Sequence, residues 1–390
     1  QGTGTRPAPS TLHRLRRSEA KPEPDQDPTR MRVLSCGSGL FTRGLPCRLQ
    51  SSCSCRTSPI PSSGDGDIIT RCSWAVSTST PSTTVRPVTT RLACTQIEHS
   101  CVAEPLRALA RSGWDVSEVA VNASGVVERS SMTALPMDTC LVSVMSANNE
   151  TGALQPVADL GAAFKRDRHD MTCFHTDAVQ ALGKHPLSFR KLNTAGVDAL
   201  TVSGHKIGGP KGAAALVRDR QLPLMPLVYG GGQEQGLRSG TENVAAIVGF
   251  GVACTRAVAD LEMRTLQAHR LQQHLEAWLR SRGAVIFSAA AERLPNTTFA
   301  AFPGIDGETL VSLLDRQGMA IASGAACGSG KSGVSAVLLA MGVDPVLAKG
   351  AIRISLGMMP YGATSIEAVD RLIGQLDKVL SQLQRFAAVA

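Results

Sequence analysis

Lys206 stands in a chemically suggestive place. In "SGHKIGGPKG", Ser203 to Gly212, a histidine and a lysine follow an apolar run and precede glycines and a proline. Most lysines in Gly/Pro loops are solvated turn residues. A lysine at the end of a buried strand can instead present its amine to a pocket and form a Schiff base with a carbonyl. Asp177, in "MTCFHTDAVQALG", and Ser203, in "GVDALTVSGHK", also follow apolar runs. Singly, Asp177 reads as a helix cap, Ser203 as a turn residue and Lys206 as solvated. Together they supply what a pyridoxal phosphate enzyme requires: an amine, a carboxylate for the ring nitrogen and a hydroxyl for the phosphate.

Two further residues lie toward the carboxyl end. Cys327, in "SGAACGSGKSG", is surrounded by Gly, Ala and Ser without bulky shielding. It reads either as an inert turn residue or as a nucleophile that swings into a pocket. Arg353 is a lone charge in the apolar run "AIRISLG". A buried arginine needs a carboxylate, either an internal partner or the α-carboxylate of a substrate.

The elements that must position these residues are legible from about residue 91 onward. "CLVSVMSANNETG", "MTCFHTDAVQALG", "GVDALTVSGHK" and "GAAALVRD" read as short buried strands, and "QPVADLGAAFKRDR" has helical spacing. Strands alternating with helices predict a mostly parallel, doubly wound sheet, with ligands beyond the carboxyl ends of its strands. Asn149, Asp177 and His205-Lys206 are expected to converge there. Near Ala253 the character changes. A long amphipathic helix closes at Gly283, followed by a strand in "NTTFAAFPG", a helix over Glu308 to Arg316, a strand in "AIRISLG" and a helix from Ser365 to about Arg385. The expected organisation is an anomalous segment over 1–90, a large domain over 91–255 and a smaller α+β domain over 256–390.

Composition bounds the function. The chain has 390 residues, is 43% hydrophobic and contains no apolar run near the roughly 18 residues of a membrane span. A secretory signal is not expected from its polar, basic first residues. The net charge is +8, but residues 1–90 alone hold 12 Lys+Arg against 6 Asp+Glu, and aromatics are only 4% of the chain. This argues against nucleic acid as a partner, and no membrane association is expected. Seven of the eleven cysteines lie at or before Cys101, and none forms a C-x-x-C pair. No metal site is expected, and the default setting is reduced and cytoplasmic. Residues 1–90 are rich in Ser, Thr, Arg, Pro and Cys without periodicity, which by composition is disorder.

The motifs "IEHSCVAEPL", "ANNETG", "HTDAVQALGK", "SGHKIGGPKG", "GGGQEQGLRSGTENV", "SGAACGSGKSG" and "AIRISLG" occur in that order. Together they resemble the cysteine desulfurase family, within the class V aminotransferase, fold-type I pyridoxal phosphate enzymes. The resemblance covers the chain from about residue 91 to its end. It implies that Lys206 forms the Schiff base with the cofactor, that His99 stacks on the ring and assists proton transfer, and that Asp177 pairs with the ring nitrogen. Asn149 and Gln180 would bond the ring-oxygen side, with Asn149 also near the substrate carboxylate. Ser203 and His205 would bind phosphate, with Thr241 arriving from the second subunit of a homodimer. Arg353 would clamp the substrate carboxylate, and Cys327 would take sulfur from L-cysteine, leaving alanine and a persulfide. The spacing after Cys327 resembles the long-loop subgroup that feeds iron–sulfur cluster assembly, which implies a sulfur acceptor or scaffold protein as a partner. A selenocysteine lyase has the same fold and cofactor.

The resemblance fails before residue 91. The family's first strand and its Thr/Asn-rich phosphate loop cannot be read there, and "SSGDGDIITRCSWAV" stands where the loop is expected. Either residues 1–90 form a divergent arm or the reading frame is altered. The composition, which is what out-of-frame GC-rich coding sequence yields, favours the second. A homologue impaired by the loss of the phosphate loop is the corresponding functional alternative.

Overall fold

A computed structural model describes residues 91–166, 168, 172–324, 333–358 and 363–387. The readings of residues 1–90 and of the Cys327 loop fall outside them.

The first half of the described chain alternates strand and helix. β1 (Arg91–Thr95), α1 (Ser100–Arg111), β2 (Asp115–Val119), α2 (Arg129–Thr133), β3 (Thr139–Ser143), α3 (Val157–Lys165), β4 (Cys173–Asp177), α4 (Phe189–Thr194), β5 (Ala199–Ser203) and β6 (Ala214–Arg218) lead to α5 (Val244–Ala259). The six strands form one sheet in the order β2-β1-β3-β4-β5-β6. β1 to β5 are parallel. β6, expected from the sequence as one more strand of the parallel series, runs antiparallel to β5. The chain between Ser203 and Ala214 is shorter than the dozen or more residues a parallel crossover needs, so it can only turn back.

Burial on both faces explains the apolar runs. All five residues of β4 are buried, as expected of a parallel strand covered on two sides. Ala93, Val142 and Phe174 pack with Leu160 and Phe164 of α3. Their strand neighbours Leu92, Cys94, Leu141 and Cys173 pack with Val102 and Leu106 of α1. At the other end Leu200, Val202 and Ala215 meet Phe250, Ala253 and Ala257 of α5.

The chain leaves this sheet through α5 and α6 (Leu261–Ser281), which are bent by 70° relative to each other. The division expected at residue 255 lies within α5. Next come β7 (Val285–Ile286), β8 (Thr297–Ala301), α7 (Gly307–Asp315), β9 (Ala322–Ser323), α8 (Ala336–Ala340), α9 (Pro345–Lys349), β10 (Ala351–Ser355) and α10 (Ile366–Ala387). A second sheet has the order β7-β8-β10-β9, with every pair antiparallel. The period of two sorts its side chains. Ala300, Ile352 and Ile354 face a core shared with α6, α7 and α10. Phe299, Ala301 and Ala351 face the opposite way, against Ile97 and Met145 beside the first sheet. Arg353 stands opposite Phe299 in the register, so alternation sends it toward the first sheet as well.

Phe299 is fully buried and packs on Phe287 with ring centroids 5.4 Å apart. Phe299→Ala is expected to lower unfolding stability by about 3–5 kcal/mol, measured by denaturant titration. A loss below about 1 kcal/mol would show that the layer between the sheets is not a packed core.

Candidate active site

The parallel strands deliver their functional residues at one edge. β4 ends at Asp177 and β5 at Ser203. The chain after β5 enters a short 3-10 turn over Gly204–Ile207 that carries His205 and Lys206, both exposed. Gly208 closes the turn at φ +81°, a left-handed conformation that favours glycine. The other end of the turn is pinned on α5, where a Cβ on Gly204 would stand 3.0 Å from the Phe250 ring. A glycine at each end thus fixes the direction in which Lys206 leaves the sheet. The hydroxyl of Ser203 lies 2.7 Å from Nδ1 of His205, so the two side chains form one hydrogen-bonded pair. The pKa of His205 is lowered by partial burial and by the neighbouring Lys206 and Lys211.

Asp177 is buried, and burial raises its pKa, an effect opposed in part by the nearby His99 and Lys206. Its Oδ1 accepts the N–H of Val179 at 2.9 Å, while Oδ2 faces the Cys101 thiol at 3.8 Å. Among the described residues this oxygen makes no stronger bond. His99 is the N-cap of α1, and its Nδ1 accepts the N–H of Cys101 at 3.2 Å, leaving the ring exposed beside the carboxylate.

Asn149 lies in the loop after β3. Its main-chain carbonyl accepts from Nη1 of Arg353 at 2.9 Å. The loop is shaped by its neighbour Asn148, which is fully buried. Oδ1 of Asn148 accepts from the N–H groups of Glu150 and Thr151, and its amide donates to the carbonyl of Ile97. Glu150, also buried, bonds the hydroxyl of Ser335, the N-cap of α8. Gln180 follows Asp177 in the turn after β4, and its Oε1 accepts from Lys184 at 2.6 Å. Thr241 is exposed on the segment before α5, and among the described residues no bond connects it to the other candidates. The structure therefore brings Asp177, His99, Ser203, His205 and Lys206 to one sheet edge and links Arg353 to Asn149. Cys327 lies outside the described residues.

Three participants escaped the sequence reading. Asn148 stands in "ANNETG", where an Asn pair does signal a side-chain-capped loop. Lys184, after Gly183, looks like an ordinary surface lysine at the end of a turn. Glu98 precedes His99 and is fully sequestered. Its Oε1 accepts from Met145 N–H at 2.6 Å and from the Thr95 hydroxyl at 2.8 Å. Burial and the neighbouring Asp177 raise its pKa from 4.5 to about 8.

The donor set fits pyridoxal phosphate. Asp177 is a buried carboxylate whose partly unused oxygen suits a cationic ring nitrogen, since an opposite charge would return its pKa toward the normal range. The Ser203–His205 pair and the Lys206 amine lie one strand away, where a phosphate and an aldehyde on the same ring could reach them.

Residues 82–372 match the aminotransferase class V family. The cysteine desulfurase of a Nostoc species is 37% identical over 302 residues, covering 77% of this chain and 73% of that protein. The cysteine desulfurase NifS of Azotobacter vinelandii is 38% identical, covering 74% and 70%. Among solved structures, a NifS-like protein superposes with a TM-score of 0.68 at 39% identity, covering 75% of each chain. The parallel sheet with its lysine-bearing edge thus defines a class V aminotransferase fold, and at this identity and coverage the chain belongs to the cysteine desulfurase family within it.

Glu98 generates a test of these electrostatics. Its folded pKa exceeds its unfolded value, so the folded state holds a proton that the unfolded state loses between pH 4.5 and about 8. Its contribution to stability is therefore present at low pH and lost as pH rises through that window. Glu98→Gln keeps the accepting oxygen and removes the titration. The thermal midpoint of the wild type should fall more steeply from pH 5 to pH 8 than that of Glu98→Gln. Parallel profiles would mean that Glu98 is not a buried neutral acid.

Proposed function

We propose that this chain is a pyridoxal 5'-phosphate-dependent cysteine desulfurase that converts L-cysteine to alanine and leaves the sulfur on Cys327 as a persulfide. The observation that carries the proposal is the convergence of Asp177, the Ser203–His205 pair and Lys206 at one sheet edge. The bound cofactor supplies an electron sink for the substrate carbons. Lys206 provides the amine that holds the cofactor aldehyde, and Asp177 holds the ring nitrogen cationic. His99, exposed beside Asp177, covers the ring and moves protons. Ser203 and His205 donate to the phosphate, and Gln180 to the ring oxygen. Arg353 presents a guanidinium to the substrate carboxylate next to Asn149, its geometry suited to a two-pronged bond. The Cys327 thiolate attacks the substrate sulfur, the carbon–sulfur bond breaks, and protonation of that carbon gives alanine.

The exposed face of α5 supports a homodimer. Val244, Val248 and Val252 recur every four residues and are 64%, 60% and 54% exposed, forming an apolar stripe suited to a second copy. Thr241 precedes this stripe, which fits a role across the interface. Relatives named NifS and IscS support delivery of sulfur to an iron–sulfur scaffold or another acceptor protein; the cytoplasm is proposed as the setting from the cysteine usage alone.

Lys206 and Lys211 share one loop and differ in the proposed role. With Lys206→Ala, turnover and the visible band of the bound cofactor should disappear, while Lys211→Ala should retain both within a few-fold. Equal losses in the two variants would remove Lys206 from the role of cofactor-bearing amine.

A further inference from the structure

Beyond these assignments lies a second lysine that no step above uses. Lys184 is half-buried in the turn that follows β4. The turn is held tightly, since Lys184 N–H bonds the carbonyl of Ala181 at 3.0 Å and a Cβ on Gly183 would approach Ile207 and Ala257 to 3.0 Å. Ile207 is the residue after Lys206, so the turn packs directly against the segment that carries the candidate amine. Nζ of Lys184 donates to Oε1 of Gln180 at 2.6 Å. An ammonium has only donors, so it must meet the carbonyl end of the amide. The Gln180 NH₂ group is thereby turned to the other side, and among the described residues it has no bond of its own.

We propose that Lys184 is a positioning residue that locks the Gln180 amide with its NH₂ group toward the cofactor ring oxygen. This rests on the reading of the sheet edge as a pyridoxal phosphate site. A free glutamine amide can flip end for end and present an acceptor where a donor is needed. An acceptor facing an anionic ring oxygen repels it, so the lock decides whether Gln180 assists or opposes binding. Burial, with Lys206 and Arg353 nearby, lowers the Lys184 pKa to about 8. This locates Lys184 within electrostatic reach of both active-site cations, which is where Gln180 must stand to touch the same ligand.

The experiment is a double-mutant cycle on the full chain with Lys184→Met, Gln180→Ala and the double variant. The readouts are the dissociation constant of pyridoxal phosphate and the pH midpoint of the bound cofactor's visible band. Lys184→Gln serves as a second probe of the lysine, because its amide can satisfy Gln180 in either orientation. One hydrogen bond corresponds to a loss of about 3- to 10-fold in affinity. Each single variant should weaken binding by that factor and move the midpoint upward, because a ring oxygen without its donor is more basic. In the Gln180→Ala background, Lys184→Met should add less than about 2-fold. Additive losses would overturn the assignment, since Lys184 would then act by its charge alone. Wild-type affinity and midpoint in both Lys184→Met and Lys184→Gln would overturn it as well. A wild-type chain that develops no band at saturating cofactor would instead overturn the cofactor-site reading on which this inference rests.

Discussion

The hydrogen bond from Arg353 to the carbonyl of Asn149 joins the two sheets beside the candidate site. A guanidinium can be brought this far into a protein only if its N–H groups meet acceptors. The acceptor of this bond belongs to the loop after β3, which must therefore hold its shape. Asn148 enforces that shape by accepting from two consecutive N–H groups while donating to Ile97 near the end of β1. Glu150 continues the connection to Ser335 at the start of α8. One loop thus ties the first sheet to both β10 and α8. The alternation of β10 makes this possible, because the strand buries Ile352 and Ile354 in one core while sending Arg353 to the other side.

The same edge sets the buried Asp177 and the half-buried Lys184 close to the exposed Lys206. Burial raises the pKa of the Glu98 and Asp177 carboxyls and lowers that of the Lys184 ammonium. Every one of these shifts favours the neutral form, the expected response to desolvation. A ligand with a cationic ring nitrogen and several anionic groups reverses that pressure. It gives Asp177 an opposite charge and gives the cluster of Lys206, Lys184 and Arg353 anions to face. The arrangement favours a zwitterionic ligand, as expected where pKa values are strongly displaced in a cleft.

The candidate site is legible in the sequence where chemistry-bearing residues coincide with a strand end. Asp177, Ser203 and Lys206 stand at such ends, and the apolar runs before them are long enough to declare buried strands. The antiparallel return of β6 was missed because its composition matches a parallel strand; only the shortness of the preceding connection reveals its direction. Asn148, Lys184 and Glu98 were passed over for a different reason. Their roles depend on partners distant in the chain or on the orientation of one amide, and neither leaves a periodic trace. Arg353 was recognised as a lone charge in an apolar strand, and the structure adds its bond to the main-chain carbonyl of Asn149. A carbonyl oxygen belongs to every residue, so no pattern of residue types could have pointed to that bond.

The central claim is that sulfur from L-cysteine comes to rest on one particular thiol. Mass spectrometry can read this directly from the peptide that contains Cys327, after incubation of the full chain with pyridoxal phosphate and L-cysteine and without reductant. The account predicts that this peptide gains the mass of one sulfur atom while alanine appears in equal amount, and that Cys327→Ser retains cofactor binding but forms neither product. A persulfide that accumulates on another cysteine at an undiminished rate in Cys327→Ser, or alanine formed without Cys327, would contradict it.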